Sequence, residues 1–314
     1  MKAFLFPGQG SQFIGMGKDL AAAFPAAKSV FDEIDDALSQ KLFALMTDGA
    51  ESDLNLTENT QPALMAVSMA VIAVLRDAGV DISSKISFVC GHSLGEYPAL
   101  TTSGAFDLST TAKLLKLRGQ AMQRAVPVGV GAMSAILGLD FIDVKNIADE
   151  ASTRNKGVVE IANDNSAGQI VISGHAEAVG IANELALAAG AKRALLLPVS
   201  APFHCSLMKP AADEMQAALD SVTIKPLQIP VIANVIADVN SDSNRVRELL
   251  VAQVTGTVRF RESVTRLKDL GVTEMIEIGA GKVLNGLVKR IEKDIEISSV
   301  GTAEQVEELI KRLG

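Results

Sequence analysis

Gly91-His92-Ser93-Leu94-Gly95 is a G-x-S-x-G sequence between an apolar run, residues 86–90, and a helical pattern that starts near Leu94. A serine set between two glycines at a strand-to-helix turn has the form of a nucleophile elbow. Glycine at both flanks lets the backbone turn where a Cβ would collide with neighbouring chain. The turn lifts the Ser93 hydroxyl out of the sheet. It also leaves the Leu94 amide at a helix start, where N–H groups lack partners and the dipole favours negative charge. An oxyanion developing during acyl transfer could be held there. The alternative is a tight structural turn with Ser93 as an N-cap. Glu96, three residues on, completes a capping box under either reading.

A serine hydroxyl is a weak nucleophile and needs a base near neutral pH. The chain has three histidines, His92, His175 and His204. His92 adjoins Ser93 on the turn, so its side chain should point elsewhere. His175 follows Gly174 at the start of a helical pattern, where a role near the helix N-cap is expected. His204 closes the segment 198–204, just past a strand candidate, where the chain crosses between two lobes. Crossing loops commonly line clefts. Elimination makes His204 the candidate base, with a structural histidine as the alternative. Cys205 has no elbow around it and is not a candidate nucleophile.

Two polar residues sit on apolar helical faces. Arg118 shares its face with Leu114, Leu115, Ala121 and Met122. A charge facing the core is costly unless paired. Its partner could be an internal Asp or Glu, or a substrate carboxylate gripped by the guanidinium. The pattern alone does not choose between them. Gln253, above Leu249 and Leu250, reads as a hydrogen-bonding residue inside the core.

The elements that must position these groups follow from periodicity. Strands are expected at 2–6, 86–90, 229–235, 275–278 and 295–300. Helices are expected at 26–38, 62–75, 94–103, 109–125, 206–218, 245–254, 261–270, 282–291 and 303–313. Between them, 132–137, 140–152, 158–162, 169–173, 176–189 and 193–199 read β-α-β-β-α-β. That is the ferredoxin-like signature, complete within about 70 residues. Strands alternating with helices imply a mostly parallel sheet covered on both faces. The fold class is therefore α/β, with the inserted segment as a second lobe. The expected division is 1–127 and 199–314 for the large domain and 128–198 for the small one.

Composition removes several function classes. With 314 residues, 48 % of them hydrophobic, the chain can bury a large core. It has no tryptophan and one tyrosine, so stacking platforms for single-stranded nucleic acid are poorly supplied. A formal charge of −8 also argues against a nucleic-acid partner. The N-terminal apolar run is too short for a signal peptide, and no stretch approaches the roughly 18 apolar residues of a membrane span. Two cysteines, Cys90 and Cys205, form neither a disulfide framework nor a zinc site. A cytoplasmic protein without membrane or metal is expected.

The motifs taken together resemble the malonyl-CoA:acyl-carrier-protein transacylase family over nearly the whole chain. They are Phe6-Pro7-Gly8-Gln9-Gly10-Ser11-Gln12, Thr60-Gln61-Pro62-Ala63, Gly91-His92-Ser93-Leu94-Gly95-Glu96-Tyr97, Arg118-Gly119-Gln120-Ala121-Met122, Gly131-Ala132-Met133, Phe203-His204-Cys205-Ser206-Leu207-Met208 and Glu277-Ile278-Gly279-Ala280-Gly281-Lys282. The G-x-S-x-G element is shared with many esterases. Its union with the P-G-Q-G-S-Q opening is far more specific.

The resemblance implies an α/β-hydrolase-like domain carrying the ferredoxin-like insert. It implies Ser93 as the acylated nucleophile, His204 as its base, and the Gln9 and Leu94 amides as the oxyanion hole. It implies Arg118 on the free carboxylate of malonyl. A main-chain carbonyl near Gln253 would orient the histidine, and Gln253 and Asn163 would belong to the substrate site. It implies malonyl-CoA and acyl carrier protein as partners, coenzyme A thioesters as substrate, no cofactor and a monomer. Pro98 departs from the small residue expected after G-E-Y, which a first helical turn tolerates. Phe203 before the histidine fits family members that take malonyl rather than methyl-branched groups.

Three other readings remain open. A serine esterase or thioesterase would carry an acidic third member, and none stands out. A trans-acting polyketide acyltransferase would share the chemistry with a different carrier. A non-catalytic scaffold would not retain Ser93, His204 and Arg118 together. An acidic carrier would need a local basic patch, with Lys282, Lys289, Arg290, Lys293, Lys113 and Lys116 as candidates. Ordinary solvated lysines are the alternative.

Overall fold

The computed structural model describes residues 1–199 and 201–314. Ser200, in the segment that leads to His204, lies outside the described residues. Ten strands are present among them: β1 Lys2–Phe6, β2 Phe88–Gly91, β3 Gly131–Leu137, β4 Val159–Ser166, β5 Gln169–His175, β6 Arg193–Leu196, β7 Val231–Ala233, β8 Asp238–Asn240, β9 Glu274–Ile278 and β10 Glu296–Val300.

Six of them form one sheet in the order β10-β9-β1-β2-β7-β8. All neighbours are parallel except β8, which runs antiparallel to β7. Successive side chains of a strand point to opposite faces, and β1 uses both. Phe4 and Phe6 enter one apolar cluster, while Ala3 and Leu5 enter the other. The first cluster is walled by the helices Pro25–Leu38, Thr57–Asp77 and Leu108–Arg124, the second by Phe260–Asp269 and Val283–Ile291. This is the α/β-hydrolase-like sheet, covered on both faces.

The other four strands make an antiparallel sheet in the order β4-β5-β3-β6. The helices Phe141–Asn155 and Ala176–Ala188 cover one face with a small core of their own. The opposite face sends Met133, Ala162 and Val171 into the large core. Strand order and connectivity are those expected of the ferredoxin-like segment.

Several elements differ from expectation. The helix predicted at 94–103 is a short 3-10 turn, Ser93–Gly95, followed by the helix Glu96–Thr102. Ser93 does not cap it, because no side-chain capping bond forms there and Glu96 is turned inward. The capping box is therefore absent. Strand β8 and the helices Lys18–Ala23, Leu42–Asp48, Glu51–Leu54 and Ile82–Lys85 were not expected, and all are seven residues or shorter. Thr57–Asp77 extends the predicted helix in both directions. It is long and apolar enough to cross a membrane, yet 89 % of its apolar window is buried in this fold.

Candidate active site

Parallel register brings the ends of β1 and β2 together, with Phe6 opposite Gly91. Cys90 of β2 faces Ile232 of β7. The residues that follow these ends are therefore neighbours: Gln9 after β1, Ser93 after β2 and Asn234 after β7. Open α/β sheets offer their binding crevice at such carboxyl ends.

The elbow is tight for a steric reason. A Cβ on Gly91 would come within 1.9 Å of the Gly95 carbonyl carbon, and one on Gly95 within 2.2 Å of Phe6 O. Neither glycine adopts a positive φ, so close backbone approach is what excludes a side chain there. Ser93 itself does, at φ 52°. Asn234 holds it in place: its Oδ1 accepts from the Ser93 N–H at 2.8 Å, and its Nδ2 donates to Gly91 O at 2.7 Å.

Ser93 Oγ lies 2.7 Å from His204 Nε2, and His204 Nδ1 lies 2.8 Å from Gln253 O. A carbonyl only accepts, so Nδ1 carries the proton. Nε2 is then the bare lone pair, and the Ser93 hydroxyl donates to it. Burial holds the imidazole down to about 3, with the Arg118 charge pushing the same way. The ring is therefore neutral, the form a general base requires. Among the described residues no carboxylate orients it. The third member is the main-chain carbonyl of Gln253.

Arg118 is 1 % exposed and lies over the Tyr97 ring at 5.8 Å. Its hydrogen bonds go to neutral groups: Nη1 to Gln61 Oε1 at 2.8 Å, Nη2 to Gln253 Oε1 at 2.9 Å, and Nη2 to Ser93 Oγ at 3.1 Å. Nε has no hydrogen-bond partner among the described residues. Of the two partners left open by the sequence, an internal carboxylate in direct contact is not found among the described residues. Glu96 acts on the guanidinium only through space. Burial pushes Glu96 up to about 7, against the pull of the Asn234 N–H, the Gln253 amide and Arg118.

The cavity over Ser93 is about 110 Å³ and is lined by Gln9, Leu94, Arg118, Asn163 and His204, with Met122, Met133, Leu197, Val199 and Phe203 as its apolar wall. That volume has room for only a small group beside the Ser93 oxygen. Gln253 departs from the substrate-site expectation. It is fully buried and stands behind the wall, so it reaches the cavity through His204 and Arg118 and not by touching it.

His92 points away from the nucleophile, as expected of its neighbour on the turn. Its Nε2 donates to Asn165 Oδ1 at 2.8 Å. His175 makes no capping bond, and its Nδ1 accepts from the Val158 N–H. Burial raises the Cys205 thiol to about 11, which leaves it protonated and poorly nucleophilic. Sequence reasoning missed Gln61, Glu96 and Asn234. Gln61 stands inside one of the quoted motifs, and Glu96 fits the local pattern of a cap. Asn234 carried no signal, since its role depends on a pairing 141 residues away.

A strand-to-helix serine, a neutral histidine bonded to it, and a guanidinium on the same oxygen define the class: an acyltransferase of α/β-hydrolase-like fold. The chain belongs to the acyl transferase domain family, whose profile matches residues 3–313. The malonyl CoA-acyl carrier protein transacylase of Bacillus subtilis (strain 168) is 47 % identical over 311 residues, covering 99 % of this chain and 96 % of its own. A crystal structure of the acyl-carrier-protein-S-malonyltransferase from Bartonella henselae superposes with a TM-score of 0.97 at 54 % identity, covering 100 % of this chain and 99 % of that one. A malonyl-transacylase solved in complex with its type II PKS acyl-carrier protein superposes at 0.95 with 42 % identity, covering 99 % of each.

Proposed function

We propose that this chain transfers the malonyl group of malonyl-CoA to the phosphopantetheine thiol of acyl carrier protein in fatty-acid biosynthesis, through a malonyl ester on Ser93. The observation that carries the reading is the Ser93 oxygen, bonded at once to a neutral imidazole and to an otherwise uncharged-partnered arginine.

The cycle is ping-pong. His204 Nε2 takes the hydroxyl proton as Ser93 Oγ attacks the thioester carbon. The tetrahedral oxyanion rests on the Leu94 and Gln9 amides, a contribution of about 3 kcal/mol for each such donor. The Ser93 amide is committed to Asn234, which leaves the next residue in the chain for this task. The C–S bond breaks and His204 returns the proton to the coenzyme A sulfur. The carrier thiol then enters, loses its proton to His204, attacks the ester, and restores Ser93. One thioester is exchanged for another, so the chemistry calls on no redox or metal step.

Arg118 holds the malonyl carboxylate in this reading, with the N–H groups that its amide partners leave free. The pairing fixes the acyl group over the ester and crowds out water, which separates a transferase from a thioesterase. Asn163, on the small sheet and facing the cavity, supports the thioester arm. The two-lobe division, 1–127 and 199–314 against 128–198, belongs to the same proposal, with the cavity at the junction. A cytoplasmic, monomeric enzyme goes with it. A polyketide carrier is the second reading, favoured by the likeness to a transacylase that acts with such a carrier.

A transfer assay that follows malonyl-carrier, acetyl-carrier and free acid tests the assignment. Arg118→Ala is expected to lose malonyl transfer by about two orders of magnitude in kcat/KM, as expected for a lost buried charge pair, and to gain relative activity toward acetyl-CoA. Unchanged acyl preference in that variant overturns the role of Arg118.

A further inference from the structure

Glu96 is 2 % exposed, lies directly behind the nucleophile, and takes part in no step described above. Its Oε2 accepts from Gln253 Nε2 at 2.8 Å and from the Asn234 N–H at 3.0 Å. Both donors belong to residues that touch the reacting groups. Asn234 fixes the Ser93 amide, and Gln253 offers Oε1 to Arg118.

The Gln253 side chain has two chemically opposite ends of nearly the same shape. As it stands, Nε2 meets three acceptors, Glu96 Oε2, Ser93 O and, at 3.4 Å, Asn234 Oδ1, and Oε1 meets a donor, Arg118 Nη2. Turned over, it would set oxygen against the carboxylate and NH2 against the guanidinium. The Glu96 oxygen at 2.8 Å is the closest of these acceptors, with the Ser93 carbonyl at 3.0 Å next. The Gln253 carbonyl that receives His204 is fixed separately, by the backbone of the helix Ser243–Thr255. Glu96 therefore governs the side of Gln253 that faces Arg118 and leaves the histidine's acceptor in place.

We propose that Glu96 is a positioning residue for acyl selectivity: by accepting the Gln253 amide it turns Gln253 Oε1 toward Arg118 and aims the guanidinium at the carboxylate end of the acyl group. The inference rests on the reading that Arg118 receives that carboxylate.

The test is the ratio of kcat/KM for malonyl-CoA to that for acetyl-CoA, with carrier protein as acceptor. Glu96→Ala removes the acceptor, and Glu96→Asp withdraws it by one methylene. Both are expected to lower the ratio about tenfold or more, the order expected when a buried hydrogen bond is lost and its donor left unsatisfied. Glu96→Gln keeps one acceptor oxygen and is expected to hold the ratio within about threefold of the parent. Circular dichroism checks folding, and Glu96→Asp carries the test if Glu96→Ala does not fold. A merely structural role lowers both rates together, and an unchanged ratio in Glu96→Ala and Glu96→Asp overturns the inference. So does a Glu96→Gln ratio as low as that of Glu96→Ala. Arg118→Ala, measured alongside, separates the two claims. If it collapses the ratio while the Glu96 variants do not, only the inference fails. If it leaves the ratio intact, the reading of Arg118 fails and the inference with it.

Discussion

Ser93 and His204 both adopt left-handed backbone conformations, at φ 52° and 58°. Such conformations are uncommon for residues with a Cβ and persist only where surrounding contacts over-determine them. Asn234 supplies those contacts for Ser93, and the bond from Nδ1 to Gln253 O secures the His204 ring. The imidazole is buried beside a cation, so its proton affinity is low. A group held down to about 3 is almost wholly in its basic form by pH 5 and above. The kcat/KM for malonyl transfer should therefore show no loss near 6.5, the ordinary histidine value, as pH falls toward 5. An acid limb centred near 6.5 would contradict the assigned state. Arg118→Ala removes one cause of the depression, so its limb should move to higher pH. Ser93 and His204 were legible because chemistry-bearing types are scarce here: one elbow and three histidines. Glu96, Asn234 and Gln61 were not, because each acts through a partner at least 57 residues away in the chain.

At the scale of elements, the strand-to-helix bend is held by two glycines that no other residue can replace. An alanine methyl at Gly95 would sit 2.2 Å from Phe6 O and 2.9 Å from Pro7 O, both backbone atoms with little freedom to yield. Gly95→Ala should cost about 3 kcal/mol or more, read as a lower urea midpoint. Gly180→Ala is the contrast. It lies within the helix Ala176–Ala188 with nothing within 4 Å of its added Cβ, and it should gain about 0.5–1 kcal/mol. Equal effects at the two sites would remove the steric account of the bend. The long periodic helices and the β-α-β-β-α-β segment were readable because each buries a regular face. The short helices and β8 were not, since one or two turns carry too little periodicity. The capping box failed for another reason. Glu96 fits the local pattern, but tertiary partners inside the molecule outcompete the cap.

For the whole molecule, the small sheet is tied along β4 to the connection between the helices Ser243–Thr255 and Phe260–Asp269, beside the cavity. Val258 donates to Ala162 O and accepts from the Asp164 N–H, Thr257 Oγ1 donates to Ile161 O, and Arg261 pairs with the buried Asp164. This seam was invisible in the sequence, where its two sides are about 95 residues apart. Carrier docking belongs to the same scale. Among the basic candidates, Lys116 is half-buried against Glu58 and Asn59, which commits it internally. Lys289 and Arg290 are exposed on the helix Val283–Ile291. Arg290 also reaches Gln169 on the small sheet, so this helix borders both lobes. Reversing Lys289 and Arg290 to Glu should raise the KM for an acidic carrier several-fold, with the effect shrinking at high salt, and leave the KM for malonyl-CoA in place. Equal changes in both constants would exclude this helix as the docking surface.

The central claim is a covalent one, and intact-protein mass spectrometry reads it directly. After mixing with malonyl-CoA, the parent chain should carry one malonyl adduct, which holo carrier protein discharges as malonyl-carrier and which Ser93→Ala never forms. An adduct that persists in Ser93→Ala, or one released only as free malonate in the presence of carrier, would contradict the account.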